Sequence, residues 1–130
     1  MTSLRSPLKL AQGRGSAHSG TRHFIVQRLT ALALVGLGIW FVVLVLRVLG
    51  AGYDDARALL ARPWNAVLMI SFVVAMFWHA QLGLQVIVED YVHTPWREAA
   101  LQIAIKFLCF LGAVAAVLAV LRIALVGVAP

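Results

Sequence analysis

Three long apolar runs constrain the fold of this chain more than any other feature of its sequence. They cover residues 29–46, 66–88 and about 103–128. An α-helix needs about 20 mostly apolar residues to cross the ~30 Å hydrocarbon core of a bilayer. Residues 24–26 can extend the first run backwards. The sequence therefore predicts an all-α integral membrane protein with three transmembrane helices, at about residues 24–48, 65–91 and 97–127.

Composition excludes the main soluble classes. Of the 130 residues, 62% are hydrophobic and 12% are charged, and the mean hydropathy is +0.93. Globular proteins are about half apolar and about a quarter charged, and disordered chains are poorer still in apolar residues. A water-soluble enzyme and a disordered protein are thus both excluded. Cys109 is the single cysteine, so the chain contains neither an internal disulfide nor a Cys-based zinc or iron–sulfur site.

Positive charge is concentrated at the N-terminus. The formal net charge is +6, and residues 1–28 contain five cations and no acidic residue. Cytoplasmic flanks of membrane helices carry excess Lys and Arg. If the N-terminus is cytoplasmic, the cytoplasmic flanks hold seven cations and the outer flanks hold four, so the charge distribution favours that orientation. We therefore expect a basic cytoplasmic tail at residues 1–23, a membrane anchor domain at residues 24–128, and no nucleic-acid partner. The tail lacks the character of a transit peptide, which favours a bacterial inner membrane over a mitochondrion.

The links between the spans are polar. Residues 50–65 contain glycines, two aspartates and a proline, and they predict an exposed loop with one helical turn. Thr94 and Pro95 form a typical helix start before the third span. Trp64 and Trp96 lie at the predicted starts of spans two and three, where amphipathic rings prefer to sit.

The second span carries an ionisable residue at depth. His79 lies 13 residues after Ala66, near the expected membrane midplane. On a helical wheel Gly83 is about 40° from His79, and Val86 and Asp90 are each within about 20°. An imidazole beside a glycine suits a flat haem, whose second ligand would come from another chain. Two alternatives are a structural hydrogen bond to a neighbouring helix and proton transfer.

Acidic and phenolic groups follow where the second span ends on the basic side. Tyr91 could donate a hydrogen bond to a quinone carbonyl, and Asp90 could orient Tyr91 or pass protons. The alternative is an interfacial tyrosine beside a solvated helix end. Arg28 is suited to lipid phosphate or to a ligand carboxylate such as a haem propionate. His18 and His23 belong to the tail and are expected to be solvated or held by a partner protein.

The third span has small residues at helical spacing, which permit close packing against another helix. These residues are Gly112, Ala115, Ala116 and Ala119. The span contains no carboxylate at depth, so we expect a structural role.

Two segments resemble a known family. Residues 79–92, with His79 followed by Gly83 and then by Asp90 and Tyr91, resemble the second-helix motif of the small hydrophobic anchor subunit of bacterial succinate dehydrogenase, respiratory complex II. Residues 20–31 are similar to the start of that family's first helix, including its Arg-x-Thr-Ala. The resemblance extends over about residues 15–128. His23 stands where some relatives have an acidic residue.

The resemblance implies a set of roles. His79 would be an axial ligand of a haem b shared with the larger, cytochrome b type anchor subunit. Tyr91 would bind ubiquinone, Asp90 would support it, and Arg28 would lie toward the haem propionates or the quinone. The flavoprotein and iron–sulfur subunits would be held at the cytoplasmic face, and this chain alone would not be an enzyme. The alternatives are an anchor subunit of fumarate reductase and a cofactor-free membrane scaffold or assembly protein.

Overall fold

Four helices make up the described part of the chain. The computed structural model describes residues 18–126, which form α1 (His18–Leu49), α2 (Tyr53–Ala61), α3 (Pro63–Tyr91) and α4 (Pro95–Val126). The three long helices contain segments long and apolar enough to cross a membrane: Thr21–Leu49, Pro63–Tyr91 and Pro95–Val126. Residues 18–126 contain no strand. The prediction of an all-α protein with three candidate spans is confirmed.

The helices extend beyond the apolar runs. α1 begins at His18, six residues before the predicted start, because polar residues continue the helix past the hydrocarbon region. Both α3 and α4 begin two residues early, each with a proline in the first turn, where its missing N–H costs nothing. Residues 1–17 of the predicted tail and the last two of the predicted anchor domain lie outside the described residues.

The first link is a helix, so the prediction of a loop with a single turn was wrong there. α2 has nine residues, and Asp54 and Asp55 lie in its first turn, where negative charge interacts favourably with the helix dipole. Asn65, in the first turn of α3, donates a hydrogen bond from Nδ2 to the carbonyl oxygen of Leu59 at 2.7 Å. This bond holds α2 against the start of α3.

The three long helices lie in a row with α3 in the middle. α1 and α4 each pack against α3, whereas no Cα of α1 comes within 8 Å of a Cα of α4. The rings of Phe41 and Phe72 stack between α1 and α3, with centroids 4.7 Å apart and planes 14° apart. Between α3 and α4, a Cβ added to Gly112 would lie 2.6 Å from Cε1 of Phe77. The expected close packing of the third span is confirmed at Gly112.

Burial within the chain is slight. Within residues 21–126 the only buried hydrophobic side chains are Leu44, Ala61, Ala66, Val73, Leu82 and Val88. None of them belongs to α4. Apolar side chains thus cover the outer surfaces of the row, a composition suited to lipid or to further helices.

Candidate functional site

His79 lies deep in the central helix. It is 12 residues before Tyr91 and 16 residues after Pro63 in an uninterrupted α3. At 1.5 Å per residue these separations are about 18 Å and about 24 Å along the helix axis. Since half of the hydrocarbon core is about 15 Å thick, a bilayer that spans α3 surrounds His79 near its midplane.

Thr30 of α1 holds one nitrogen of this imidazole. The Oγ1 atom of Thr30 is 3.0 Å from Nδ1 of the half-buried His79. The same Oγ1 lies 2.9 Å from the carbonyl oxygen of Val26 and 3.0 Å from that of Gln27. Nε2 of His79 has no hydrogen-bond partner in the described segment. The hydrogen bond to a neighbouring helix, one of the sequence-based alternatives, is therefore present and occupies only one side of the ring.

An open cleft lies one helical turn beyond this pair, between α1 and α3. Its volume is about 570 Å³, and its lining includes His23, Gln27, Gly83 and Glu89. Gly83 leaves space there, since an added Cβ would reach only ordinary contact, 3.8 Å from Nε2 of Gln27. The predicted pairing of a deep imidazole with a glycine one turn on is thus found beside a cleft.

Two polar atoms in this cleft have no partner. Nε2 of His23 and Oε1 of Gln27 are both buried and make no hydrogen bond to the described residues. Of the two expectations for His23, solvation was wrong for Nε2, because α1 extends through this residue and packs it against α3, whereas contact with a partner protein stays a prediction. Its helical position four residues before Gln27 was the available sequence signal.

Polar side chains also join α3 to α4 near the same end. Nε2 of Gln85 donates to Oε1 of Glu89 at 2.8 Å, and Nε2 of Gln102 lies 3.5 Å from that oxygen. Gln102 also donates to Oε1 of Glu98 at 3.3 Å. Sequence reasoning missed this cluster, because Gln102 and Glu89 are brought together only by the antiparallel packing of the two helices.

The other predicted site residues lie at the surface. Tyr91 is the last residue of α3 and is 79% exposed, and its neighbour Asp90 is also exposed. The exposed Arg28 places its guanidinium 5.0 Å from the ring centroid of Phe24. Neither Arg28 nor Asp90 forms an ion pair with the side chains of residues 21–126. The fold brings His79 to Thr30, whereas it does not join Arg28 to Asp90 or Tyr91, and the roles predicted for these residues stay predictions.

Comparison with known proteins identifies the family. A family model described as the succinate dehydrogenase/fumarate reductase transmembrane subunit matches residues 2–113. The chain belongs to this family. The resemblance seen in residues 20–31 and 79–92 is thereby confirmed.

Curated relatives of this transmembrane-subunit family cover most of the chain. It is 34% identical over 116 residues to the succinate dehydrogenase hydrophobic membrane anchor subunit of Rickettsia bellii, with 89% of this chain and 93% of that protein covered. The subunit of the same description from Paracoccus denitrificans is 33% identical over 102 residues, covering 78% of this chain and 79% of that protein. The one from Rickettsia conorii is 31% identical over 113 residues, with 84% and 87% covered. No solved structure matches the chain.

Proposed function

We propose that this chain is the small membrane-anchor subunit of a bacterial succinate:quinone oxidoreductase, and that it contributes half of a haem b site and part of a ubiquinone-reduction site. The single observation that carries the proposal is the depth and hydrogen bonding of the His79 imidazole. Its imidazole lies at depth in α3, with Nδ1 hydrogen-bonded to Thr30 and with Nε2 unpartnered in the described residues. An unused imidazole nitrogen at that depth is costly unless something binds it.

The residues present fit a haem. Iron takes an axial imidazole through one ring nitrogen, and protein groups commonly hold the other. His79 offers this arrangement, and Gly83 one turn on provides the space that a macrocycle close to the helix needs. His23 lies only two residues inside the start of the first candidate span, and no histidine other than His79 lies deep in a span, so a second haem ligand would come from the larger anchor subunit. When bound, the haem supplies a one-electron redox centre between the subunits.

Ubiquinone reduction requires hydrogen-bond donors and protons at the membrane surface. The exposed phenol of Tyr91 donates to a quinone carbonyl, which polarises the carbonyl as electrons arrive. Asp90 orients Tyr91 or supplies protons to the reduced quinone. Arg28, at the same end of the anchor, stabilises a haem propionate or the quinone side of the site.

The proposed complex places its soluble partners beside these residues. The basic tail faces the cytoplasm, where the flavoprotein and iron–sulfur subunits oxidise succinate and deliver electrons to the quinone. The chain alone is not an enzyme. The three relatives described above are named for succinate dehydrogenase, which favours this direction of electron flow over that of a fumarate reductase anchor subunit.

A visible spectrum tests the haem role. The reduced-minus-oxidised spectrum of the purified complex is compared for wild type, His79→Ala and His93→Ala. His93 is exposed beyond the end of α3 and provides a matched histidine control. We expect a b-type α band in wild type and in His93→Ala, and a weakened or shifted band in His79→Ala. An unaltered band in His79→Ala contradicts the haem role, and a colourless wild-type complex favours a cofactor-free scaffold.

A conservative pair of tyrosine variants tests the quinone role. We expect Tyr91→Phe to lower ubiquinone reduction about tenfold or more, the scale of one lost transition-state hydrogen bond of about 1.4 kcal/mol. Electron transfer from succinate to an artificial acceptor should be unchanged, because that route bypasses the quinone. Tyr53→Phe, at the exposed start of α2, is the matched control. Equal quinone reduction in both variants contradicts the role of Tyr91.

A further inference from the structure

The hydroxyl of Thr30 faces Nδ1 of His79 at 3.0 Å. We propose that Thr30 is a positioning residue: it accepts a hydrogen bond from Nδ1–H of His79 and so keeps the lone pair of Nε2 available to iron. This inference rests on the proposed haem role of His79 and assigns the second residue that the role requires. The two residues are 49 positions apart and meet only because α1 packs against α3.

The surroundings of Oγ1 determine the direction of the bond. A threonine hydroxyl has one hydrogen, and two carbonyl oxygens of its own helix, those of Val26 and Gln27, lie 2.9 Å and 3.0 Å away. Threonine within a helix commonly donates to the carbonyl three or four residues earlier. With its hydrogen directed to the backbone of α1, Oγ1 presents lone pairs to Nδ1 at 3.0 Å. Nδ1 must then be the donor.

This direction has a chemical consequence for the ring. A neutral imidazole has one N–H and one lone pair. If Nδ1 carries the hydrogen, Nε2 is the nitrogen that can bind iron. The opposite tautomer would place a hydrogen on Nε2 and block ligation. The accepted hydrogen bond also orients the ring and makes Nε2 a stronger donor to the metal.

The position of the hydroxyl is itself held by packing. Thr30 is β-branched, so few side-chain rotamers are open to it in a helix. The Phe41–Phe72 stack fixes α1 against α3 on one side of the pair. The hydroxyl is thus presented to the imidazole before any haem arrives.

Variants that keep or remove the hydroxyl test the proposal in the assembled complex. Thr30→Val removes the hydroxyl at nearly constant shape, and Thr30→Ser retains it. Ser71→Ala is the matched control, because Ser71 is a hydroxyl residue of α3 whose Oγ bonds only the carbonyl of Val67, at 2.8 Å. Haem content per complex, haem midpoint potential and the electron paramagnetic resonance signal of the ferric haem are measured for each.

We expect Thr30→Val to weaken haem retention about 10–100-fold, the usual effect of removing a group that holds a metal-binding histidine. Its midpoint potential should rise, because a less electron-rich imidazole stabilises ferric iron less, and its ferric signal should shift. Thr30→Ser and Ser71→Ala should both match wild type. If Thr30→Val does not assemble, Thr30→Ala and Thr30→Ser provide the same comparison, with the loss expected in the alanine variant only.

Haem content, potential and signal equal to wild type in Thr30→Val, or in Thr30→Ala, overturn the inference. This failure is distinct from failure of the proposed haem role. If His79→Ala loses the band while the Thr30 variants keep all three properties, His79 is a ligand and Thr30 does not position it. If His79→Ala retains the band, the haem role itself fails.

Discussion

Gly112 offers a direct test of how closely α3 and α4 are packed. An alanine Cβ at this position would lie 2.6 Å from Cε1, 2.9 Å from Cζ and 3.5 Å from Cδ1 of Phe77. Carbon atoms in good contact are about 3.5–4.0 Å apart, so the ring must retreat by about 1 Å or the helices must separate. Overpacking of this kind costs about 1–3 kcal/mol.

Gly36 provides a reference that separates the cost of overpacking from the change in helix propensity. Alanine has a higher helix propensity than glycine by about 1 kcal/mol, which partly offsets the clash in Gly112→Ala. Gly36 of α1 has nothing within 4 Å of an added Cβ, so Gly36→Ala gains propensity without overpacking. The free energy of unfolding of Gly112→Ala should therefore lie about 1–3 kcal/mol below that of Gly36→Ala.

Unfolding by titration with a denaturing detergent in mixed micelles measures the difference. Adding Phe77→Leu, which removes the obstructing ring, should recover most of the loss in the double variant with Gly112→Ala. That coupling separates the Phe77 contact from any effect of a partner subunit. Equal stability of the two alanine variants, or no recovery on adding Phe77→Leu, would refute the close approach of α4 to α3.

Two further changes probe the link helix and the cleft. Asn65→Ala removes the 2.7 Å hydrogen bond to the carbonyl oxygen of Leu59. We expect the free energy of unfolding to fall by about 1 kcal/mol and amide hydrogen exchange to become faster in Tyr53–Ala61. Unchanged exchange would contradict that role of Asn65. An alanine at position 83 would reach only ordinary contact with Gln27, whereas a leucine there would fill the cleft. We therefore expect haem content to fall in Gly83→Leu and not in Gly83→Ala. Equal haem content in both variants would place the haem elsewhere.

The spans were predictable because membrane crossing sets a simple length and composition rule. The apolar runs alone were enough to predict the three long helices. The helix ends were not predicted, because they extend into polar residues to which the length and composition rule does not apply. The helix α2 was missed because glycines and a proline flank it, although Asp54 and Asp55 before Arg57 form a short helix-start pattern.

The candidate site was predictable only in part. The depth of His79 follows from its position in the run, and Gly83 follows from helical spacing. The contact with Thr30 could not be read from the sequence, because it depends on the rotation of α1 and α3 about their axes. For the same reason the sequence did not show that Nε2 of His23 and Oε1 of Gln27 are buried, since this burial arises only when the two helices pack.

The placement of α3 between two helices that do not touch each other affects the lifetime of the chain before assembly. Gln81 lies half-buried on the central helix with His79 and donates to Gln85 at 3.3 Å, whereas Gln85 also donates to Glu89 at 2.8 Å. In lipid, a polar group without a full set of partners is costly. We therefore expect a copy outside the complex, in which Gln81 has no further partner among the described residues, to be degraded faster than an assembled copy.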